Sequence, residues 1–454
     1  MKGNSISNIF SNIILGSITF LFFVALIYTW FMSSELIKSG TLVWYATVFI
    51  VGFLLYSFSL FTRISYRLNF SLASVSVIVA IFIVEIYLMV TGQRSAFANY
   101  PPRLQDVYKE LNIFFDSRSK YEVLSDMKNN GIHAISNIFS ANIFGTKGIT
   151  SNSGTQLFPL AGVSNTNVVF CNESGSWVVI ENDEHGFNNP KGLYRKGSVE
   201  MALVGDSFTH GKCVDYTDNV AGQLRKLGHN VLNIGMSSSG PLLYLARIKE
   251  YLTVLHPRIV LWFHCESNDL IDLRREERQP ILMRYLNEEF TQNLFERQGE
   301  IDVTLTGYFE ERFENYSSQQ RSRKRKPPTL TTRLFRCLRL WHLRVRLGRN
   351  HTFQKSLFVK VLQEAKKTIS SFGGKLYFVY LPDYQRYYDR RTVAAYKRNQ
   401  VIAAVKSCDI PLIDFHQVLK NHPDPLSMFP HRLFGHYNTY GYKKLAEQID
   451  NHFR

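Results

Sequence analysis

Two stretches near the N-terminus contain no charged residue: 9–32 (IFSNIILGSITFLFFVALIYTWFM) and 42–61 (LVWYATVFIVGFLLYSFSLF). Each is about as long as a helix that crosses about 30 Å of hydrocarbon, roughly 20 residues. In such a setting every backbone polar group must be satisfied internally, so helices are expected. A third run, 70–92, is apolar apart from Glu85. Three runs joined by short loops argue for a multi-pass anchor rather than a cleaved signal peptide. The lipid bilayer is therefore the first expected partner. A carboxylate inside a span is costly. Two readings of Glu85 stay open: a Glu bonded to a neighbouring helix, or a proton or substrate role.

With the N-terminus in the cytoplasm, Lys2, Arg63 and Arg67 are inside and Lys38 is in the outer loop. That distribution favours residues 93–454 lying outside the cytoplasm. The net charge of +16 is local, because 11 Lys/Arg and no Asp or Glu lie between Arg321 and Arg349. A protein built to coat nucleic acid would spread its basic residues through the fold, so no nucleic-acid partner is expected. Within this run, 332–349 (TRLFRCLRLWHLRVRLGR) places Arg between Leu, Phe and Trp at near-helical spacing. Contact with an anionic membrane surface, a solvated face and a docking site for an acidic polymer are its three readings. Cys171, Cys213, Cys265, Cys337 and Cys408 show no CxxC or His-rich spacing, so no zinc site and no cofactor are expected.

A chain of 454 residues divides into two or three parts. Residues 1–95 form the three-helix transmembrane anchor. Residues 96–198 read as a linker or accessory region, with strand-like runs at 167–171 and 176–181 and a polar loop, Asp183–Pro190 (DEHGFNNP). That loop is a turn network or a loop beside a substrate. From 199 to 454 the rhythm changes. Apolar runs at 199–204, 229–234, 258–263, 375–381 and 410–415 alternate with helical patterns near 217–227, 241–254, 355–371, 392–407 and 439–452. Short continuous apolar strands alternating with helices imply α/β architecture, a parallel sheet covered on both faces. A basic insertion at about 274–354 interrupts the pattern.

In such a sheet ligands bind beyond the carboxyl ends of the strands, and the chemically capable residues follow those ends. Ser207, in Gly205-Asp206-Ser207-Phe208, follows the first strand and opens a helical stretch. The backbone N–H groups of a helix start stabilise developing negative charge there. Asn233-Ile234-Gly235-Met236-Ser237-Ser238-Ser239-Gly240 follows the second strand and Glu266-Ser267-Asn268-Asp269 the third. An Asn side chain at that place can donate to an oxyanion. His436 precedes the last helix and can take the Ser207 proton and return it to a leaving group.

These four elements, in this order, resemble the SGNH (GDSL-type) hydrolase superfamily, and together with the anchor and the DEHGFNNP loop they look like a membrane-anchored bacterial subgroup of it. The resemblance covers about 199–273 and 375–454. It implies a flavodoxin-like three-layer α/β/α fold and ester chemistry without a metal. It places the nucleophile on Ser207, the Asn on Asn268 and the His on His436, where the H-x-N-x-x-G pattern continues through Asn438 and Gly441. The implied oxyanion hole uses the Ser207 amide, the Asn268 side chain and an amide of the second block. There the usual Gly position holds Ser238, with Gly235 and Gly240 flanking. The family's Asp, three residues before its His, is replaced by Leu433. His436 is then held by a backbone carbonyl or by Asp414 at the end of the last strand, and His431 is a rival base.

The reading that follows is a membrane-anchored serine esterase or O-acyltransferase working through an acyl-serine intermediate. Its expected substrate is a cell-surface carbohydrate or other acyl ester, and transfer would call for a membrane protein that supplies the acyl donor. The alternative is a catalytically inactive SGNH scaffold that binds glycan or partner proteins in envelope assembly.

Overall fold

The computed structural model describes residues 2–31, 33, 42–97, 104–140, 149–150, 156–287, 289–319, 330–343, 353–388 and 396–454. Pro101-Pro102, much of the Gly/Ser/Asn-rich stretch before 165, the run 321–329 and residues 344–349 lie outside these. The chain forms two compact units, residues 1–97 with 327–347, and residues 98–326 with 348–454.

The first unit contains α1 (Lys2–Phe31), α2 (Leu42–Ser59) and α3 (Ile64–Phe97). Within them Ile6–Phe31, Leu42–Ser59 and Ile64–Met89 are each long and apolar enough to cross a membrane. Their outward side chains, such as Leu21, Phe58 and Val77, are exposed. A helix that is apolar all round and stays exposed suits lipid rather than water. The three pack through small and aromatic residues. Phe22 stacks on Tyr56 with ring centroids 5.6 Å apart. Gly52 makes room for it, since a Cβ there would lie 2.3 Å from the Phe22 ring.

Glu85 is fully buried in this unit, and its partner is not one of the spans. Its Oε1 accepts the His342 amide at 2.9 Å and meets His342 Nδ1 at 2.7 Å, and its Oε2 accepts the Leu343 amide at 2.8 Å. Residues 330–343 of the basic insertion thus belong to the unit of apolar helices. Its helix Leu330–Leu338 packs on α3. It leaves Leu334, Phe335 and Leu338 exposed.

The second unit is built on a five-stranded parallel sheet. Its strands are β4 (Met201–Val204), β5 (Val231–Asn233), β6 (Ile259–Cys265), β7 (Lys375–Leu381) and β8 (Leu412–Asp414), in the order β8-β7-β6-β4-β5. Counted from the first strand of the sheet, this is the flavodoxin-like order 2-1-3-4-5. The strand residues sort by parity. Ala202, Val204, Val260, Trp262 and Phe378 face helices Pro241–Arg247, Lys355–Ser371 and Arg398–Ser407. Met201, Leu203, Leu261, Phe263 and Val379 face helices Val220–Lys226 and Thr439–Phe453. Alternate side chains on opposite faces, both apolar, yield the three-layer α/β/α core expected from the pattern. The helical pattern at 241–254 is broken, because Ile248–Leu252 forms a π-turn before Thr253–Leu255.

The described residues between 104 and 198 add a side layer to the same unit. Its three-stranded sheet contains β1 (Ala134–Ser136), β2 (Asn167–Cys171) and β3 (Val178–Glu181), with β2 in the middle. The Asp183–Pro190 loop joins this layer to the core as a buried turn network. Asp183 Oδ1 accepts the His185 and Phe187 amides at 2.9 Å. Its Oδ2 accepts Asn189 Nδ2 at 2.8 Å and the Tyr194 hydroxyl at 2.7 Å. Asn188 then donates to His210 O and Asn189 to Asn233 O, which buttresses the turns beyond β4 and β5. A buried carboxylate with four donors leaves all four unpaired when it is removed. Asp183→Ala should destabilise this unit by on the order of 3 kcal/mol, read as a lower thermal midpoint of the detergent-solubilised chain, whereas Glu181→Ala at the exposed end of β3 should shift it little.

Candidate active site

Helix Ser207–His210 starts one turn beyond β4, and Asp206 caps it by accepting the Phe208 amide at 2.9 Å. The chain turns sharply here because Gly205 has no side chain. A Cβ at that position would lie 2.0 Å from Thr209 Oγ1 and 3.0 Å from Phe263 Cβ. Ser207 Oγ is thereby presented at the carboxyl edge of the sheet, 2.7 Å from His436 Nε2.

His436 is delivered by the segment before the last helix. Asn438 caps that helix by accepting the Gly441 amide at 2.9 Å, and its Nδ2 donates to Ser427 O and Phe429 O. Gly441 is required because a Cβ there would lie 2.6 Å from Met428 O. The H-x-N-x-x-G spacing therefore builds a helix start that fixes the His. The Phe208 ring packs against the imidazole with centroids 4.6 Å apart.

The residue that orients His436 comes from outside the sheet. Glu173, two residues beyond β2 in the side layer, meets His436 Nδ1 through Oε1 at 3.0 Å and Oε2 at 2.9 Å, and Oε2 also accepts the His436 amide at 2.8 Å. Burial alone would raise the Glu173 pKa. The charge and hydrogen bonds of His436, together with nearby Lys212, outweigh burial and hold it at about 2. An ionised carboxylate at Nδ1 keeps that nitrogen protonated and leaves Nε2 free to accept the Ser207 proton. Ser207, His436 and Glu173 have the contacts of a nucleophile–base–acid triad.

Asp414, the carboxylate expected to fill this role, lies elsewhere. It ends β8, at the edge of the sheet and three strands from β4, about 14 Å across at the usual strand spacing. Arg398 pairs with it, and the His416 amide and Gln417 Nε2 donate to it. His431, the rival base, is exposed, with its Nε2 3.3 Å from Ser174 O, and it supports the loop that carries Glu173. Glu173 has no sequence signal of the usual kind, because the chain order of the acid relative to the His is not the familiar one. The nearest hint is that a cysteine stands close to each partner, Cys171 beside Glu173 and Cys213 beyond Ser207.

The oxyanion groups are also redistributed. Asn268 Nδ2 lies 3.0 Å from both Asp206 Oδ2 and Asp272 Oδ2, so the side chain expected to donate to an oxyanion bridges two carboxylates instead. Gly240 does not offer its amide either, since that N–H donates to Glu276 Oε1. Its role is steric: a Cβ would lie 2.8 Å from Asp272 Cβ. Glu276, at the end of helix Asp269–Glu276, also accepts the Leu242 amide and so caps helix Pro241–Arg247. In the second block Gly235 donates to Asn233 Oδ1, Met236 to Gly205 O and Ser237 to His210 Nδ1. Burial, then the Arg247 charge, push His210 down to about 3, which keeps its ring neutral and able to accept. Ser238 is exposed in a left-handed conformation with φ 58°, and its amide has no hydrogen-bond acceptor among the described residues. The Ser207 amide is free in the same sense. Both N–H groups are thus left unclaimed at turns beyond strands of the sheet.

Two expected outcomes follow from this geometry. Glu173→Gln should lower kcat for ester cleavage by about 10³-fold through loss of the correct imidazole tautomer, while Asp414→Asn should change it by less than about 3-fold; steady-state kinetics on both variants checks the assignment. The second concerns pH. Burial, then the charge of Asp269, push Asp206 up to about 7. A carboxyl whose folded pKa exceeds its unfolded value of about 4 holds extra protons in the fold between those values. Its stabilising contribution is complete below about pH 4 and is lost as pH rises to about 7. Asp206→Asn should therefore gain thermal midpoint relative to wild type between pH 5 and 8 in calorimetry, and a difference independent of pH would contradict this.

No family model and no curated protein matches the chain. Solved structures similar to it include TesA, at 13% identity over 56% of this chain and 97% of that one, with a TM-score of 0.31. A lipase/acylhydrolase from Enterococcus faecalis is 14% identical over 56% of this chain and 95% of its own, and the acetyl xylan esterase AlAXEase is 12% identical over 56% and 100%, both at 0.31. At these identities and TM-scores the likenesses carry no argument about chemistry, which rests on the site itself.

Proposed function

We propose that this protein is a membrane-anchored serine esterase or O-acyltransferase whose acyl intermediate forms on Ser207. The observation that carries the reading is the 2.7 Å contact between Ser207 Oγ and His436 Nε2, continued by the Glu173 carboxylate on His436 Nδ1. His436 takes the Ser207 proton as Oγ attacks an acyl carbonyl. The Glu173 charge stabilises the imidazolium, and the Ser207 and Ser238 amides receive the oxyanion. His436 then protonates the leaving alcohol. In the second half-reaction it deprotonates water or an acceptor hydroxyl that releases the acyl group.

A carbohydrate acceptor or substrate at the cell surface rests on analogy with relatives elsewhere in the SGNH superfamily that acetylate or deacetylate surface polysaccharides. A partner membrane protein that supplies the acyl donor goes with the transferase form. The binding-scaffold alternative expects Ser207 and His436 to stand apart, and their contact counts against it. Placement of the site outside the cytoplasm is supported by the basic residues flanking the spans and by a disulfide between Cys171 and Cys213.

A fluorophosphonate probe should label the chain in membranes at Ser207. Ser207→Ala should remove the label, and His436→Ala should slow labelling by about 10²-fold or more. An unlabelled wild-type chain that is folded by circular dichroism would sink the reading.

A further inference from the structure

Glu173 reaches His436 from a different layer of the fold, so something must hold that layer to the nucleophile turn. The side-layer loop around Glu173 has several anchors of its own. The Tyr108 hydroxyl donates to Glu173 O, Asn172 Nδ2 donates to Asp116 O, and the Asp116 amide donates to Gly175 O. All three lie within the side layer. They shape the loop without tying it to β4 or to helix Ser207–His210.

Two noncovalent contacts reach that helix, the Phe170 ring on His210 with centroids 4.6 Å apart and Asn188 Nδ2 donating to His210 O, and a covalent tie joins them at the Glu173 end. Cys171 ends β2, two residues before Glu173, and Cys213 lies six residues beyond Ser207, in the turn after helix Ser207–His210. The two form a disulfide with Cα atoms 5.3 Å apart. One bond therefore has the acid on one arm and the nucleophile on the other. Lys212, next to Cys213, brings its Nζ to 3.8 Å from Glu173 Oε1 and adds an ionic contact along the same path. Cys265, Cys337 and Cys408 are free thiols, so this is the bond that reduction would open.

We propose that the Cys171–Cys213 disulfide is a positioning element of the triad. Closed, it holds Glu173 against His436; opened, it leaves the side layer folded but uncouples the acid from the base. The inference rests on the serine-enzyme reading of the site. Reduction by a dithiol moves two electrons and two protons onto the cystine, giving two thiols, and the dithiol becomes a disulfide. Oxidised glutathione reverses the change, forming the bond again and leaving reduced glutathione. The chain would thus be a weak esterase while its cysteines are reduced and gain full activity where a thiol–disulfide oxidant is supplied. Such a chain is protected from acting before it reaches an oxidising compartment.

The test uses the full chain in detergent, with EDTA present because reduced Cys171 and Cys213 beside Glu173 offer three metal-capable atoms within 4.8 Å of one another. Turnover of p-nitrophenyl acetate is measured before and after dithiothreitol, for wild type and for Glu173→Gln, with circular dichroism to confirm retained fold. For wild type, reduction should lower kcat by about 10²-fold, within the range caused by loss of a triad acid, with KM changed less than about 3-fold, and oxidised glutathione should restore it. For Glu173→Gln, whose kcat is already low, reduction should change kcat less than about 2-fold. A Cys171→Ser/Cys213→Ser double variant should match reduced wild type and ignore dithiothreitol. Equal losses in wild type and Glu173→Gln would assign the bond a general structural role and overturn the proposal, as would an unchanged wild type. If oxidised wild type shows neither turnover nor fluorophosphonate labelling of Ser207, the serine-enzyme reading fails, and this proposal with it.

Discussion

The chemistry of this chain depends on one carboxylate crossing from one layer to another. Glu173 accepts both the ring Nδ1–H and the backbone N–H of His436. The paired contact fixes the position of the base as well as its tautomer. Without it, the segment before the last helix would still place His436 near Ser207, but nothing would set which ring nitrogen carries the proton. The side layer is thereby part of the candidate catalytic apparatus. Its β2, its Asp183 turn network and its disulfide all converge on the turns beyond β4 and β5.

The core of that apparatus was legible in the sequence. The strands fall within two residues of the apolar runs, because each is buried on both faces and reads as continuous hydrophobicity. Ser207 and His436 were legible because a nucleophile after the first strand and a base before the last helix are fixed by backbone turns with their own residue requirements. Gly205 and Gly441 occupy places where a Cβ would strike Thr209 or Met428.

The acid was not legible. A carboxylate partner is defined by distance to an imidazole, and any chain segment that folds over the site can supply it. Asp414 had the right place on a strand end but the wrong strand, and Arg398 claims its charge. Asn268 and Gly240 sit in the expected blocks, yet their polar groups face Asp206, Asp272 and Glu276. Sequence order marks where a donor can be, while the surrounding carboxylates decide where it points. Glu85 illustrates the same limit in the apolar unit. Its need for a partner was plain from composition, but the partner, His342, lies 257 positions along the chain in the insertion.

The contact of Glu173 with His436 must persist in the reacting state. The most direct measurement is a crystal structure of the chain carrying a phosphonate ester on Ser207, which imitates the tetrahedral intermediate. In it Glu173 should lie within hydrogen-bond distance of His436 Nδ1, His436 Nε2 should face the serine oxygen, and a phosphonyl oxygen should sit at the Ser207 and Ser238 amides. A structure in which another group, such as Asp414 or a backbone carbonyl, occupies Nδ1 while Glu173 turns away would contradict it.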